Sequence, residues 1–146
     1  MKALTINPFY VELITYGIKT IECRTWKTDY RGDILITSSA KKIHDTIPGH
    51  ALAVAELYDI RRMCKDDAVS ACMKPQDCTP DKYSWFLRNV RLIEPFAVNG
   101  KLSLWTYPDD SNIHTIITVD DLLKLQESDS EKYDAMCDHY WDSLYV

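Results

Sequence analysis

Between residues 20 and 105, short runs rich in β-branched and aromatic residues follow one another, each bounded by glycine, proline or asparagine. No long helical period interrupts them, so most of the chain must find its partners across a sheet. Strands are expected over 20–25, 33–39, 51–60 and 83–95. Asn99-Gly100 reads as a tight hairpin turn into a further strand over 101–105. Before them, Asn7-Pro8 has the signature of a helix start, Phe9, Leu13 and Tyr16 recur at helical spacing, and Gly17 ends the run. After them comes a short extended piece over 113–119. Helices are then expected over 119–127 and 130–144, the second carrying the stripe Tyr133, Met136, Cys137, Tyr140, Trp141 and Leu144. The stretch 61–80 carries weak patterning and reads as a long excursion with at most a helical turn. The sum is an α+β fold: a small mixed β-barrel of five or six strands, with an N-terminal helix and added C-terminal helices.

A chain of 146 residues, 46% apolar, suits one domain with a core that needs no covalent staples. The five cysteines are odd in number and include no CxxC pair, and the four histidines lack metal-ligand spacing, so no metal site or cofactor is expected. No run of 18 apolar residues is present, and a cytoplasmic chain without membrane contact is expected. The net charge of −5 hides an asymmetry: residues 1–106 carry +3 and residues 107–146 carry −8. A body of +3 is too weakly charged for tight nonspecific binding to duplex backbone, and suits a nucleotide or short single strand better.

The densest cluster of chemistry is Lys19-Thr20-Ile21-Glu22-Cys23-Arg24. With strand periodicity, Thr20, Glu22 and Arg24 share one face and Ile21 and Cys23 the other, while Lys19 sits at the bend where it can turn toward the charged face. In the strand over 51–60, Leu52, Val54, Glu56, Tyr58 and Ile60 share a face. A carboxylate in that apolar row must be neutralised or paired, so Glu56 is expected against Lys19 or Arg24. The same residues fit three uses: a salt-bridge network joining helix to barrel, a base-edge reader, or a Lys19 base with Glu22 or Glu56 positioning water.

Further motifs surround this stretch. Met1-Lys2-Ala3-Leu4-Thr5-Ile6-Asn7-Pro8-Phe9 precedes it. Gly17-x-Lys19-Thr20-x-Glu22-x-Arg24-x-Trp26 contains it, and Tyr30-Arg31-Gly32 and Ser38-Ser39-Ala40-Lys41-Lys42 follow. The set closes with Tyr83-Ser84-Trp85 and Arg91-x-Ile93-x-Pro95-x-Ala97-Val98-x-Gly100-x-Leu102-x-Leu104-Trp105. Together they resemble the ASCH domain family over about residues 1–106, with 107–146 outside the resemblance as an acidic helical extension packed on the same domain. The resemblance implies a PUA-like β-barrel with a cleft between first helix and barrel wall, lined by the GxKTxExR residues, and binding of RNA, a nucleotide or a modified nucleoside.

Some bacterial members of that family are amidohydrolases acting on N4-acetylcytidine through a Lys, a Thr three residues later and a strand Glu, and others are ribonucleases. Carried over, these imply Lys19 and Glu56, but the third position here is Glu22. A carboxylate cannot replace a hydroxyl nucleophile that forms an ester, and Thr20 lies two residues, roughly 7 Å, along the strand. Any hydrolysis would then use direct water attack, with Glu22 or Glu56 as base and Lys19 stabilising the oxyanion. Trp26 is the expected stacking residue at the rim, and Arg31, Lys41, Ser38 and Ser39 are candidate phosphate contacts beside strand ends. Each of these also fits a plainer role, as packed aromatic or solvated loop polarity.

Overall fold

The computed structural model describes residues 1–142, 144 and 145. Seven strands build one sheet: β1 (Lys2–Ile6), β2 (Ile21–Arg24), β3 (Gly32–Ser38), β4 (His50–Arg62), β5 (Tyr83–Ala97), β6 (Leu104–Thr106) and β7 (Thr115–Thr118). Their order is β2-β5-β4-β3-β1-β6, with β7 also paired to β5, in a curled, mixed half-barrel of α+β type. β1 runs parallel to β3 and all other pairs are antiparallel. The helices are α1 (Pro8–Thr15), a single turn α2 (Ala68–Ala71), α3 (Val119–Ser128) and α4 (Ser130–Cys137), the last continued by a π-helical turn over Asp138–Asp142. Position 143 of the expected final helix lies outside the described residues. No described helix is long and apolar enough to cross a membrane.

α1 begins as its sequence requires. The Asn7 side chain accepts the Phe9 N–H at 3.0 Å, and Pro8 occupies the first turn, where no N–H is needed. It ends at Gly17, whose φ of +78° suits glycine and whose missing Cβ leaves room for Val119 Cγ1, 2.9 Å from where a Cβ would stand.

One strand lies beyond those expected, and two expectations are corrected. β1 is a central strand that periodicity does not reveal. Ala3, Leu4 and Ile6 are all buried, on both faces of the sheet, so the strand does not alternate. Asn99-Gly100 makes no hairpin: β6 pairs with β1 instead of β5. The turn residues press against β1, where Lys101 N–H donates to Thr5 Oγ1 at 3.1 Å and a Cβ on Gly100 would fall 2.4 Å from Thr5 Cγ2. Finally, β4 shifts register against β5 between Ala51 and Ala53, Val54 and Glu56, and Leu57 and Asp59. Leu52 joins Ala53, Ala55 and Leu57 in the main core where the first shift falls, whereas Val54 faces the other core and Glu56, on the Val54 face, emerges half-buried on the outer surface.

The main core lies between the sheet and the helices. Val11 and Ile14 of α1, Val119 and Leu122 of α3, and Tyr140 and Trp141 of the π-helical turn meet Leu4, Ile36, Leu57, Trp85 and Leu92. Tyr140 OH donates to the Leu52 carbonyl, and Trp141 stacks on Tyr16 at 4.7 Å while its Nε1–H donates to Thr15 Oγ1 at 3.3 Å. Beyond them, Tyr145 OH donates to Glu12 Oε1 at 2.5 Å and pairs with Tyr16 OH at 2.9 Å. The opposite face buries Ala3, Leu35, Val54, Ile93 and Trp105 under Tyr107 and Ile113.

Because Trp141 is a core residue, Trp141→Ala is expected to lower unfolding stability by about 3–5 kcal/mol, read from urea denaturation. Burial raises the Glu12 pKa above its ordinary 4.5, against the lowering effect of the Tyr145 hydrogen bond. A raised carboxylate pKa favours the native state while the group is protonated and costs stability as pH rises through the folded value. Glu12→Gln should therefore melt like the native chain at pH 4 and at higher temperature than it at pH 7. A gap that shrinks toward pH 7 would refute this.

Candidate functional site

β2 is too short to reach the far side of the half-barrel, and its charged face does so through side chains. Lys19, 2% exposed, donates from Nζ to the Ala71 carbonyl at 2.7 Å, lies 3.6 Å from Glu22 Oε1, and stands 5.0 Å from the centre of the Tyr10 ring. The buried Glu22 carboxylate takes the Cys23 N–H on Oε1 at 3.2 Å and the Arg24 Nη2–H on Oε2 at 2.9 Å. The same Nη2 donates to Thr5 O of β1 at 3.0 Å. β6 pairs with β1 only as far as Leu4, which leaves the Thr5 carbonyl to Arg24. The result is a row of groups from α2 to β1 in which one carboxylate separates two cations. Arg24 Nε is buried and has no hydrogen-bond partner.

Arg24 forms part of the wall of a cavity of about 670 Å³. The floor is Thr5, Ile6 and Asn7 at the end of β1, the second wall is Ser39, Ala40 and Gly49, and the third is the loop from Ala97 to Ser103. Arg24 and Lys101 are its charged residues, and no Asp or Glu is among the described lining residues. Thr5 Oγ1 organises this end: besides Lys101 N–H it pairs with Thr37 Oγ1 and accepts from Trp105 Nε1, both at 3.1 Å. Leu102 stands at the rim, 94% exposed.

The structure brings Lys19, Glu22 and Arg24 together, and places Arg24 and Ser39 on the cavity. It does not bring Glu56 there. Glu56 Oε2 accepts from both Arg88 Nε and Nη2, at 3.0 and 2.7 Å, on the outer surface beside a bidentate pair between Asp33 and Arg91. The expected pairing of Glu56 with Lys19 or Arg24 is thus replaced, because Glu56 shares the Val54 face of the sheet, opposite to the main-core face on which Glu22 lies beside Trp85. Thr20 is exposed, with its backbone bonded to Ser70 and Leu87. Trp26 packs edge-on against Trp85 at 4.8 Å, and its carbonyl accepts the Trp85 indole N–H, so it serves the core and not the cavity rim.

Arg31 is exposed and donates to the Thr28 and Tyr30 carbonyls. Ser38 is buried with its hydroxyl on the His50 backbone, and Lys41 is exposed one residue beyond the cavity wall. The residues that sequence reasoning missed are Lys101, Asn7 and Thr5. Lys101 was hidden by the hairpin reading of Asn99-Gly100, and Asn7 by its evident capping role. Burial pushes the Cys23 thiol above its ordinary pKa, which works against a nucleophilic thiolate there. No group of metal-ligating side chains occurs among the described residues.

Removing the carboxylate between two largely enclosed cations leaves both uncompensated. Glu22→Ala is expected to destabilise the fold by about 3–5 kcal/mol, whereas Thr20→Ala at the exposed neighbour should stay within about 0.5 kcal/mol. Urea midpoints of the two variants measured side by side decide it; equal midpoints would mean that the row of charges is not a structural element.

No curated protein matches this sequence. Among solved structures, the crystal structure of ASCH from Zymomonas mobilis superposes with a TM-score of 0.59 at 16% identity, covering 75% of this chain and 88% of that one. A Tyr-to-Phe variant of the Zymomonas mobilis protein gives a TM-score of 0.58 at 16% identity over 85% and 96% of the two chains. A Ser-to-Ala variant gives 0.58 at 16% over 85% and 94%. At this identity the likeness carries the fold. The family model of the ASCH domain matches residues 4–97, from the buried centre of β1 to the last residue of β5, and with the shared half-barrel this makes the chain a member of the ASCH domain family.

Proposed function

We propose that this ASCH domain binds RNA or a nucleotide in the cavity between the end of β1 and the loop over 97–103. The observation that carries the reading is the presence of Arg24 and Lys101 in a wall without carboxylates. Charge-assisted bonds from guanidinium and ammonium are among the stronger ones a ligand can gain. The volume lies within the range of small-molecule sites. No described residue of the acidic extension is part of the cavity wall, which supports a site whose cations stay available to a ligand. A cytoplasmic location goes with this reading, since RNA and nucleotides are at hand in that compartment.

Hydrolysis of N4-acetylcytidine or a similar amide has less support in the geometry. Lys19 and Glu22 lie behind the wall and are not among the residues facing the cavity, and Lys19 Nζ is already engaged by Ala71, Glu22 and Tyr10.

Calorimetric titration with ribonucleoside monophosphates and short oligoribonucleotides tests the proposal. Saturable binding is expected, weakened about tenfold or more by Lys101→Ala, whose side chain is exposed and can be lost without disturbing the core. Absence of binding by the whole panel, or affinity unaffected by this variant, would refute it.

A further inference from the structure

Resting on that reading, we infer that the cavity recognises its ligand by phosphate and not by stacking of the base: its ligand class is a nucleoside phosphate ester, free or within an RNA strand. Three features of the wall lead there.

The first is the lack of a stacking surface. No aromatic side chain is among the described lining residues. The tryptophans nearest in sequence to the wall are committed elsewhere, Trp26 against Trp85 and Trp105 with its indole N–H on Thr5. Base-on-aromatic stacking is therefore missing from this site. The second is charge. The lining residues include two cations and no carboxylate, which suits a phosphate and gives a neutral nucleoside little beyond ordinary polar contacts.

The third is how Arg24 is held. Its Nη2 is fixed by Glu22 and the Thr5 carbonyl, so the guanidinium at the cavity wall is oriented before any ligand arrives. The start of α1 does not share this task. The Phe9, Tyr10 and Val11 N–H groups are already bonded to the Asn7 side chain or carbonyl, so that helix presents no open donors to the cavity. Arg24 and Lys101 are left as the anion-binding pair.

The test compares cytidine, cytidine 5′-monophosphate, a short oligocytidylate and inorganic phosphate by calorimetry with the full chain. The expected result is a nucleotide bound at least about tenfold more tightly than the nucleoside, displaced by millimolar inorganic phosphate, with affinity falling as salt rises. Arg24→Lys keeps the charge beside Glu22 but loses the planar guanidinium, and Lys101→Ala removes the second cation. Each should shrink the preference for nucleotide over nucleoside, and Lys101→Ala should lower the salt slope by about one. Lys101→Ala keeps the test decisive if Arg24→Lys folds poorly. The oligomer and the mononucleotide, compared per site, tell whether the phosphate belongs to a strand or to a free nucleotide. Equal binding of nucleoside and nucleotide overturns the inference while leaving the proposed function standing. No binding by nucleoside, nucleotide or oligomer overturns both.

Discussion

The sheet ends at β2 on one side and at the short β6 on the other, and the Arg24 side chain reaches from β2 to the end of β1 that β6 leaves uncovered. Its bond to the Thr5 carbonyl supplies a partner to a backbone group that β6, ending its pairing at Leu4, does not reach. An arginine carried into this position needs a counter-charge, which Glu22 provides, and Glu22 in turn lies against the buried Lys19 ammonium. Lys19 is tied to the Ala71 carbonyl of α2, so the excursion between β4 and β5 is part of the same arrangement. Structure and candidate function thus share one set of side chains. The groups that close the edge of the sheet also aim a guanidinium at the cavity.

The C-terminal extension belongs to the fold in a physical sense. Tyr140 and Trp141 are buried in the main core and bonded to β4 and α1, and β7 continues the sheet along β5. Most of its acidic residues are exposed on α3, α4 and the turns beside them, and none is among the described residues of the cavity wall. The asymmetry between a basic body and an acidic tail therefore reflects a solvated helical surface laid over an aromatic core, and the cavity keeps its two cations.

Much of this was legible from local rules. Asn7-Pro8 and Gly17 marked α1 because capping and left-handed backbone depend on a few neighbouring residues. Strand periodicity put Glu22 and Arg24 on one face, and they meet there. What stayed hidden had a common cause. Counting along β4 put Glu56 on the face of Val54, and it stands there, but that face is opposite to the one on which Glu22 lies beside Trp85, and only the pairing of the strands decides which faces coincide. Asn99-Gly100 has the composition of a hairpin turn, yet the chain after it crosses to β1, where the β1 edge accepts a partner and Thr5 requires a glycine beside it.

By itself the sequence determined the local units, the charged face of β2 and, through several ordered motifs, the ASCH family. Each depends on residues close together in the chain or on a pattern read along it. The tertiary structure alone decided that Glu56 pairs with Arg88, that Trp26 packs on Trp85, and that Lys101 joins Arg24 across a cavity. These pairings join residues 32 to 77 positions apart, and no local rule carries information over that distance. They follow from where the curled sheet brings its strands, and a single bulge or crossover is enough to change them.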